Sequence, residues 1–277
     1  MPELPEVETT RRGIEPHLVA RVITSIIIRQ PKLRWLIPEH ITSTYPGQQI
    51  VTVNRRGKYI LLTTKNHQAI SSTLLFHLGM SGSLRIVGQS DLPGRHDHVD
   101  FVLDNNKRLR FHDPRRFGSL LECPAHQPHS HHLLSQLGPE PLSDEFSGEY
   151  LYDRSRNRKL SVKNFLMDSH VVVGLGNIYA AEALFHAGIH PFREAGNISL
   201  KRYTILAQQI KKVIDYAIQQ GGTTLRDFVN ATGKPGYFQQ QLNVYGRENQ
   251  PCVQCHAPIR KLKQSQRSTW YCPRCQH

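Results

Sequence analysis

The chain has 277 residues, which is long enough for two domains, and hydrophobic residues make up 38% of it, which is enough for buried cores. No run approaches the ~20 consecutive apolar residues that a membrane-spanning helix needs, and the polar, acidic start MPELPEVETT does not resemble a signal peptide. These features argue against an integral membrane protein and against a secreted one, so we expect a cytoplasmic protein.

The net charge of +13 is distributed unevenly along the chain. Residues 1–150 contain 17 Lys/Arg and 15 Asp/Glu, whereas residues 151–277 contain 18 and 7. A basic second half indicates a polyanionic partner. One alternative is a charge that serves solubility alone. Another is an acidic membrane surface, which is less well supported because no basic amphipathic anchor helix is visible.

The first half of the chain predicts one helix followed by strands. In residues 3–14 the apolar Leu4, Val7 and Ile14 are spaced for one helix face. Runs of strand length, rich in β-branched and apolar residues, follow at 22–28, 49–54, 58–64 and 71–78. Residues 98–113 predict a hairpin that turns at Asn105-Asn106 and places Val99, Phe101 and Leu103 on one side. The pattern favours an antiparallel β-sandwich.

A stretch rich in Pro and His, residues 123–150, interrupts this pattern and predicts a connection between domains. Its histidines (His126, His129, His131 and His132) are more typical of a solvated linker than of a metal site. The pattern then becomes helical, with one helix ending at 163–168, a second over 178–189 and a third over 202–222. The third helix carries a stripe of apolar positions at Tyr203, Leu206, Ile210, Val213 and Ala217, and it stops at Gly221-Gly222.

Four cysteines near the C-terminus have the spacing of a structural zinc site. Cys252 and Cys255 form one CxxC pair, Cys272 and Cys275 form another, and sixteen residues separate the pairs. Two such pairs let four thiolates converge tetrahedrally on one Zn²⁺, with a β-hairpin between them. Disulfides are one alternative, but the compartment is expected to be reducing. A redox CxxC pair is another, but two such pairs in a basic C-terminal tail are not typical of it. Cys123 is left over and is expected to be a buried free thiol.

Basic residues accompany both the hairpin and a glycine-containing helix start. The predicted hairpin carries Arg260, Lys261, Lys263 and Arg267 and no acidic residue, which suits contact with phosphate. Upstream, Gly174 and Gly176 precede a helix with Asn177 at its N-cap, and free N–H groups at such a start bind anions. A basic cluster (Arg154, Arg156, Arg158, Lys159 and Lys163) favours that interpretation over an ordinary cap. No Walker or dinucleotide motif supports a nucleotide cofactor.

Taken in order, the motifs of this chain closely resemble those of formamidopyrimidine-DNA glycosylases, the family that repairs oxidised purines. The matching segments are MPELPEVET, RRGKY, HLGMSGSLR, HDHVD, DPRRFG, LGPEPL, VVGLGNIYA, QGGTTLRDF, GKPGYFQQ and QRSTWYCPRC. They cover essentially the whole chain. Each is modest evidence alone, but their common order leaves little room for coincidence.

The resemblance implies an α+β fold with two lobes. The N-terminal antiparallel β-sandwich would carry the terminal helix and form the catalytic domain, residues 1–130, followed by a linker at 131–149. A helical helix–two-turn–helix DNA-binding domain would span 150–235, and a four-cysteine zinc finger 236–277. Double-stranded DNA with oxidised purines or abasic sites would bind between the lobes of a bacterial, nucleoid-associated monomer, with one structural Zn²⁺ as cofactor.

The resemblance also implies a glycosylase that cleaves the DNA strand as a lyase. Pro2 would be the nucleophile, Glu3 the neighbouring acid or base, Lys58 the group for β-elimination and Arg267 the group for δ-elimination. Because an Arg side chain in a protein keeps its proton, we expect Arg267 to stabilise phosphate rather than donate a proton. If Met1 remained, Pro2 would be an amide and could not attack.

Further residues are carried over as DNA contacts. His96, Arg115 and Arg158 would contact the DNA, and Asn177 at the helix start would contact a phosphate. Met80, Phe117 and one of Arg115 and Arg116 would fill the gap left by the flipped base, and residues 224–238 would cover the lesion. Two alternatives remain: an endonuclease VIII-like enzyme for oxidised pyrimidines, and a zinc-ribbon DNA-binding protein without catalysis.

Overall fold

The computed structural model describes residues 1–123, 127, 130–222 and 242–277. They form two compact units, one made of the described part of 1–136 with Gly221 and Gly222, the other of 137–220 and 242–277. The first unit thus ends inside the segment predicted as the linker. Several predictions lie outside the described residues: the covering segment 224–238, the domain boundary at 235–236, and His126 and His129.

The first unit is a β-sandwich, as the sequence predicts. Its two antiparallel four-stranded sheets have the orders β1-β6-β7-β5 and β2-β3-β4-β8. The strands are β1 Ile23–Ile28, β2 Gln49–Arg56, β3 Tyr59–Lys65, β4 Ser71–His77, β5 Ser83–Gly88, β6 Asp97–Leu103, β7 Lys107–His112 and β8 Ser119–Cys123. The predicted hairpin is β6-β7, and Val99, Phe101 and Leu103 all lie in the core between the sheets. β5 and β8 were not among the predicted strands.

The described residues of this unit form two helices, α1 (Leu4–Leu18) and the short α2 (Ile41–Thr44). The predicted face of α1 is buried: Val7 and Ile14 are at most 1% exposed and pack into the sandwich core together with Leu18. Burial of this stripe fixes the start of α1, and with it Pro2 and Glu3, on the sandwich.

The second unit is helical, with α3 (Gly148–Ser155), α4 (Val162–Leu166), α5 (Asn177–His186), a 3₁₀ turn at Ala195–Asn197 and α6 (Leu200–Gln219). A helix ends within residues 163–168, as predicted, but it is α4, and the separate helix α3 precedes it. Asn157 takes a left-handed φ of 61°, and Arg158 N–H closes a turn onto Ser155 O, so the helix stops and α4 begins anew. The predicted stripe of α6 is buried.

Two successive turns join α4 to α5. Asp168 N–H donates to Phe165 O, and Val171 N–H then donates to Asp168 O. This is the helix–two-turn–helix arrangement. No helix among the described residues is long and apolar enough to span a membrane.

The predicted hairpin between the cysteine pairs is present as β9 (Arg260–Gln264) and β10 (Arg267–Tyr271). Its turn residues Ser265 and Gln266 have φ of 45° and 65°, the left-handed conformation that matches the twist of a two-residue hairpin. The cysteines share a small core with Ala181 and Phe185 of α5. The zinc-finger segment is therefore packed against the helical part of its own unit.

Candidate active site

The N-terminal residues are held rigidly at the start of α1. Glu3 is the N-cap, and it forms a capping box with Glu6, in which Glu3 N–H donates to Glu6 Oε2 over 2.8 Å. Pro2 is buried, and Glu3 and Glu6 are 3% and 0% exposed. A capping box satisfies two otherwise unpaired backbone donors. Here it also fixes a carboxylate directly beside Pro2.

Lys58 was predicted to lie in a strand, and that prediction was wrong. Arg56 pairs with Tyr59 across β2 and β3, so Gly57 and Lys58 form the two-residue turn between them. Gly57 has a φ of 57°, a conformation that glycine adopts without steric cost and that ends the strand. The turn places the Lys58 ammonium at the end of the sheet, half-buried.

His77 is a candidate that the sequence reasoning missed. It lies at the end of β4, its ring is 4.9 Å from that of Tyr59, and its Nδ1 accepts a hydrogen bond from Gly79 N–H over 3.0 Å. Burial, and then the positive charges of Lys58 and Arg34, lower the pKa of His77 to about 4. The motif HLGMSGSLR contains this residue. In the structure His77 lies close enough to Lys58 and Arg34 for their positive charges to act on it, and this placement makes it a candidate member of the site.

Met80 and Phe117 are exposed side chains on two loops that touch. Their exposed fractions are 36% and 46%, which excludes the alternative that they fill the core. A Cβ on Gly79 would lie 2.4 Å from the backbone of Phe117 and Gly118, so glycine at 79 is what allows the loops to meet. The Arg115 guanidinium lies over the Phe117 ring, 5.0 Å from its centre, and the adjacent Arg116 is exposed.

The buried carboxylate of Asp113 supports both loops. It accepts hydrogen bonds from Ser81 Oγ (2.9 Å) and from the backbone N–H groups of Gly118 (2.7 Å) and Arg115 (3.3 Å). Ser81 follows Met80, and Gly118 follows Phe117. One fully buried residue therefore fixes the bases of both exposed apolar side chains.

His96 is half-buried and lies next to these loops. Asp113 N–H donates to His96 O over 3.0 Å. The His96 ring is 6.0 Å from the ring of His112, which is itself paired with Asp97 at 2.7 Å. Asp113 therefore contacts both His96, through its backbone N–H, and the two loops that carry Met80, Arg115 and Phe117, through its carboxylate.

In the second unit, the prediction that Asn177 is an N-cap was wrong. Gly176 is the N-cap and Asn177 is the first residue of α5. The Asn177 side chain turns away from the helix end, because its Nδ2 donates to Ser268 O over 2.9 Å and its Oδ1 accepts from Lys163 Nζ. The Asn177 side chain is therefore engaged within the protein.

Lys163 also differs from the prediction. It was predicted to belong to a basic cluster that binds phosphate, but it is 1% exposed and donates to Thr269 Oγ1 over 2.6 Å as well as to Asn177. It ties α4, α5 and β10 together. Arg156 is half-buried and stacks on Tyr152 at 3.8 Å. Of the predicted cluster, the exposed members are Arg154, Arg158 and Lys159.

Arg267 is exposed at the start of β10, and the hairpin that carries it is fastened to the helices. Asn164 Nδ2 donates to Ser265 Oγ in the turn, and Gln264 Nε2 donates to Ser161 Oγ, both over 2.7 Å. The guanidinium lies 3.9 Å from Met167 Sδ. The base of this side chain is therefore fixed, while its charged end reaches solvent.

The four cysteines are arranged to hold one metal ion. Their Sγ atoms all lie within 4.8 Å of one another, with Cys252 and Cys275 3.8 Å apart and Cys255 and Cys272 3.4 Å apart. Tetrahedral Zn–S bonds of about 2.3 Å require sulfurs roughly 3.8 Å apart, so the set fits Zn²⁺. Over the described ranges, no other group of His, Cys, Asp and Glu has such an arrangement. Cys123 is a buried free thiol, as expected.

Glu182 holds the segment that leads into the zinc finger. This fully buried carboxylate on α5 accepts hydrogen bonds from the backbone N–H groups of Asn243, Val244 and Tyr245 at 2.8–3.0 Å. The sequence offered no signal for it, since an acid in a helix more often faces solvent.

Comparisons with known proteins agree along the whole chain. Family models match for the formamidopyrimidine-DNA glycosylase N-terminal domain (residues 1–120), its H2TH domain (137–229) and a zinc finger found in FPG and IleRS (249–277). The formamidopyrimidine-DNA glycosylases of Alcanivorax borkumensis and Pseudomonas savastanoi pv. phaseolicola are 58% and 56% identical to it, with 100% of each chain covered.

Solved structures show the same likeness. The MutM (FPG) protein of Thermus thermophilus has a TM-score of 0.87 and 36% identity, covering 99% of this chain and 98% of that one. A Lactococcus lactis FPG mutant in complex with Fapy-dG-containing DNA has a TM-score of 0.91 and 32% identity, covering 99% of both chains. Since the likeness extends over the sandwich, the helix–two-turn–helix and the four cysteines, the chain belongs to the formamidopyrimidine-DNA glycosylase family.

Proposed function

We propose that this protein removes oxidised purines from double-stranded DNA and then cleaves the strand, through an iminium formed by the amine of Pro2. The observation that carries the proposal is the buried Pro2 next to a carboxylate, Glu3, that a capping box holds in place. Removal of Met1 is required, because an amide nitrogen is not a nucleophile. The family names of the relatives support the glycosylase step.

In the first step the neutral Pro2 amine attacks C1′ of the flipped nucleotide. The C1′–base bond breaks, and the base leaves with its electron pair and gains a proton. The pKa of a terminal amine is about 7.7–8.0, so roughly a tenth is neutral at pH 7. Glu3, fixed beside the amine, exchanges protons with the sugar as the ring C1′–O4′ bond opens.

A secondary amine gives an iminium that is always charged, and this cation makes the C2′ proton acidic. Loss of that proton forms an enamine and expels the 3′ phosphate as the C3′–O bond breaks. In the second elimination, the unsaturated iminium loses its C4′ proton, the C5′–O bond breaks and the 5′ phosphate leaves. Water then hydrolyses the remaining iminium to regenerate Pro2. Lys58 is the proposed acid–base group for the first elimination, and Arg267 stabilises the departing phosphate in the second.

The remaining residues bind and reshape the DNA. His96, Arg115, Arg158 and the helix start at Asn177 are proposed to contact phosphates. Met80, Phe117 and one of Arg115 and Arg116 are proposed to occupy the space vacated by the flipped base; their exposure on rigid loops supports this role. Cys252, Cys255, Cys272 and Cys275 would hold a structural Zn²⁺, which supplies folding energy to the hairpin and takes no part in the chemistry.

Borohydride trapping tests the proposal. With duplex DNA containing 8-oxoguanine, the protein is expected to form a covalent adduct with DNA under reduction. Pro2→Gly, which replaces the secondary amine with a primary one, is expected to form the adduct much more slowly while remaining folded. Mass spectrometry of the same sample establishes whether Met1 is absent. A sample without Met1 that forms no adduct on lesion or abasic DNA would contradict the enzyme assignment and favour a non-catalytic binding protein.

Substrate choice is tested separately. Duplexes that contain 8-oxoguanine or thymine glycol are compared under single-turnover conditions, with undamaged duplex as the control. Faster cleavage of the oxidised purine is expected. A clear preference for thymine glycol would instead identify an enzyme of the endonuclease VIII kind.

A further inference from the structure

Two consecutive glycines follow α6, and they differ in one respect. Gly221 and Gly222 both have left-handed backbones, with φ of 75° and 80°. A Cβ built on Gly221 would meet nothing within 4 Å, whereas one built on Gly222 would lie 3.1 Å from Glu6 Oε1, 3.2 Å from its Cγ and 3.4 Å from its Cα. The left-handed backbone alone explains a glycine at both positions. The contact with Glu6 is specific to Gly222.

Glu6 links this contact to the N-terminus. It is fully buried on the first turn of α1. While Oε1 faces Gly222, Oε2 accepts the hydrogen bond from Glu3 N–H. Any side chain at 222 would push on the carboxylate, and a buried side chain cannot move without disturbing its neighbours. The displacement would be transmitted to the amide that adjoins Pro2.

We propose that Gly222 is a positioning residue for the nucleophile: its missing side chain lets Glu6 hold the Glu3 amide, and thereby Pro2, in place. This inference rests on the proposed function of Pro2. It gives Gly222 a role that does not depend on contact with DNA, since the residue acts through Glu6.

Gly222→Ala and Gly221→Ala form a matched pair for the test. Both substitutions impose a left-handed alanine, so both carry a similar backbone strain, but only the first places a methyl group against Glu6. Two properties are measured in wild type and both variants. One is hydrogen exchange of the Glu3 amide, and the other is the single-turnover rate of borohydride-trapped adduct formation on abasic-site DNA.

For Gly222→Ala we expect faster exchange of the Glu3 amide and trapping slowed by about tenfold or more, as expected when reacting groups lose alignment. Affinity for DNA carrying an uncleavable abasic analogue should stay near that of wild type. Gly221→Ala should leave the Glu3 amide and the trapping rate close to wild type.

Equal behaviour of the two alanine variants in exchange and trapping would overturn the inference. If Gly222→Ala does not fold, Gly222→Asn and Gly221→Asn give the same comparison, since Asn tolerates a left-handed φ. Wild type that forms no adduct would instead contradict the proposed function, and the amide exchange measurement would still decide whether Gly222 positions Glu3.

Discussion

Asp113 illustrates how a single buried acceptor can shape an exposed surface. Its carboxylate holds Ser81, Arg115 and Gly118. Asp113→Asn replaces one acceptor oxygen with an NH₂ group that faces an N–H or O–H donor, so we expect a loss of about 1–3 kcal/mol in the free energy of unfolding. Because the two loops would lose part of their support, we also expect weaker binding of lesion DNA. Urea unfolding and equilibrium binding measure the two effects.

The matched control for this variant is Asp104→Asn, which changes an exposed aspartate in the same unit. It should alter stability by less than about 0.5 kcal/mol. If both variants behaved alike, Asp113 would not be the support of the two loops.

His77 predicts a pH effect on stability. Its pKa is lowered to about 4 in the folded protein by burial and by Lys58 and Arg34, against about 6.5 for an unfolded histidine. As the pH falls through this interval, the unfolded chain binds the proton first, so stability is lost between about pH 6.5 and pH 4. His77→Asn keeps an acceptor for Gly79 N–H but does not titrate, and should therefore lose less stability.

Unfolding midpoints of wild type and His77→Asn, measured across this pH interval, test the prediction. The two curves should converge or cross as the pH falls. Parallel curves would show that His77 is not held neutral in the folded protein.

At the scale of whole elements, periodicity and spacing predicted much of the structure. The face of α1, the hairpin β6-β7, the stripe of α6 and the zinc hairpin follow from the spacing of apolar residues and cysteines. β5 and β8 were missed, and each directly follows a glycine, Gly82 before β5 and Gly118 before β8. Lys58 was predicted to lie in a strand because the turn at Gly57 and Lys58 has only two residues and is followed directly by strand-forming residues.

Side-chain partners distant in sequence were beyond prediction. Lys163 was assigned to a basic cluster because lysines are rarely buried, and Thr269, which accepts its hydrogen bond, lies 106 positions away. The same holds for Glu182, whose partners Asn243, Val244 and Tyr245 lie 61 to 63 positions away. A pattern of residue types predicts which face of an element is buried, but not which polar groups will meet inside.

Glu182 is expected to support the zinc finger through its hydrogen bonds to residues 243–245. Glu182→Gln replaces one acceptor oxygen with an NH₂ group facing backbone donors, so we expect destabilisation by about 1–3 kcal/mol and faster loss of zinc to a chelator. Metal release monitored by a colorimetric reagent measures the second effect. Glu149→Gln, on the exposed side of α3, is the control, and equal rates of release would contradict the assignment.

For the whole molecule, the uneven charge predicts how DNA binding responds to salt. Affinity for DNA should fall linearly in a plot of log affinity against log salt, with a slope of about 0.9 for each phosphate neutralised. Arg158→Gln should reduce that slope by about 1. Lys65→Gln, an exposed residue in the nearly neutral half, should leave it unchanged; an equal reduction for both would mean that the basic half is not the binding face.

The four cysteines of the zinc finger make the protein sensitive to oxidation. Its four sulfurs are the anchor of a hairpin that Lys163 and Thr269 join to the helix start at Asn177. Thiolates are oxidised to sulfenic acids and disulfides by the same kind of reactive oxygen species that damage guanine. Under severe oxidative stress, damage to the repair protein would therefore grow together with the damage to DNA, and recovery would depend on the reducing capacity of the cell.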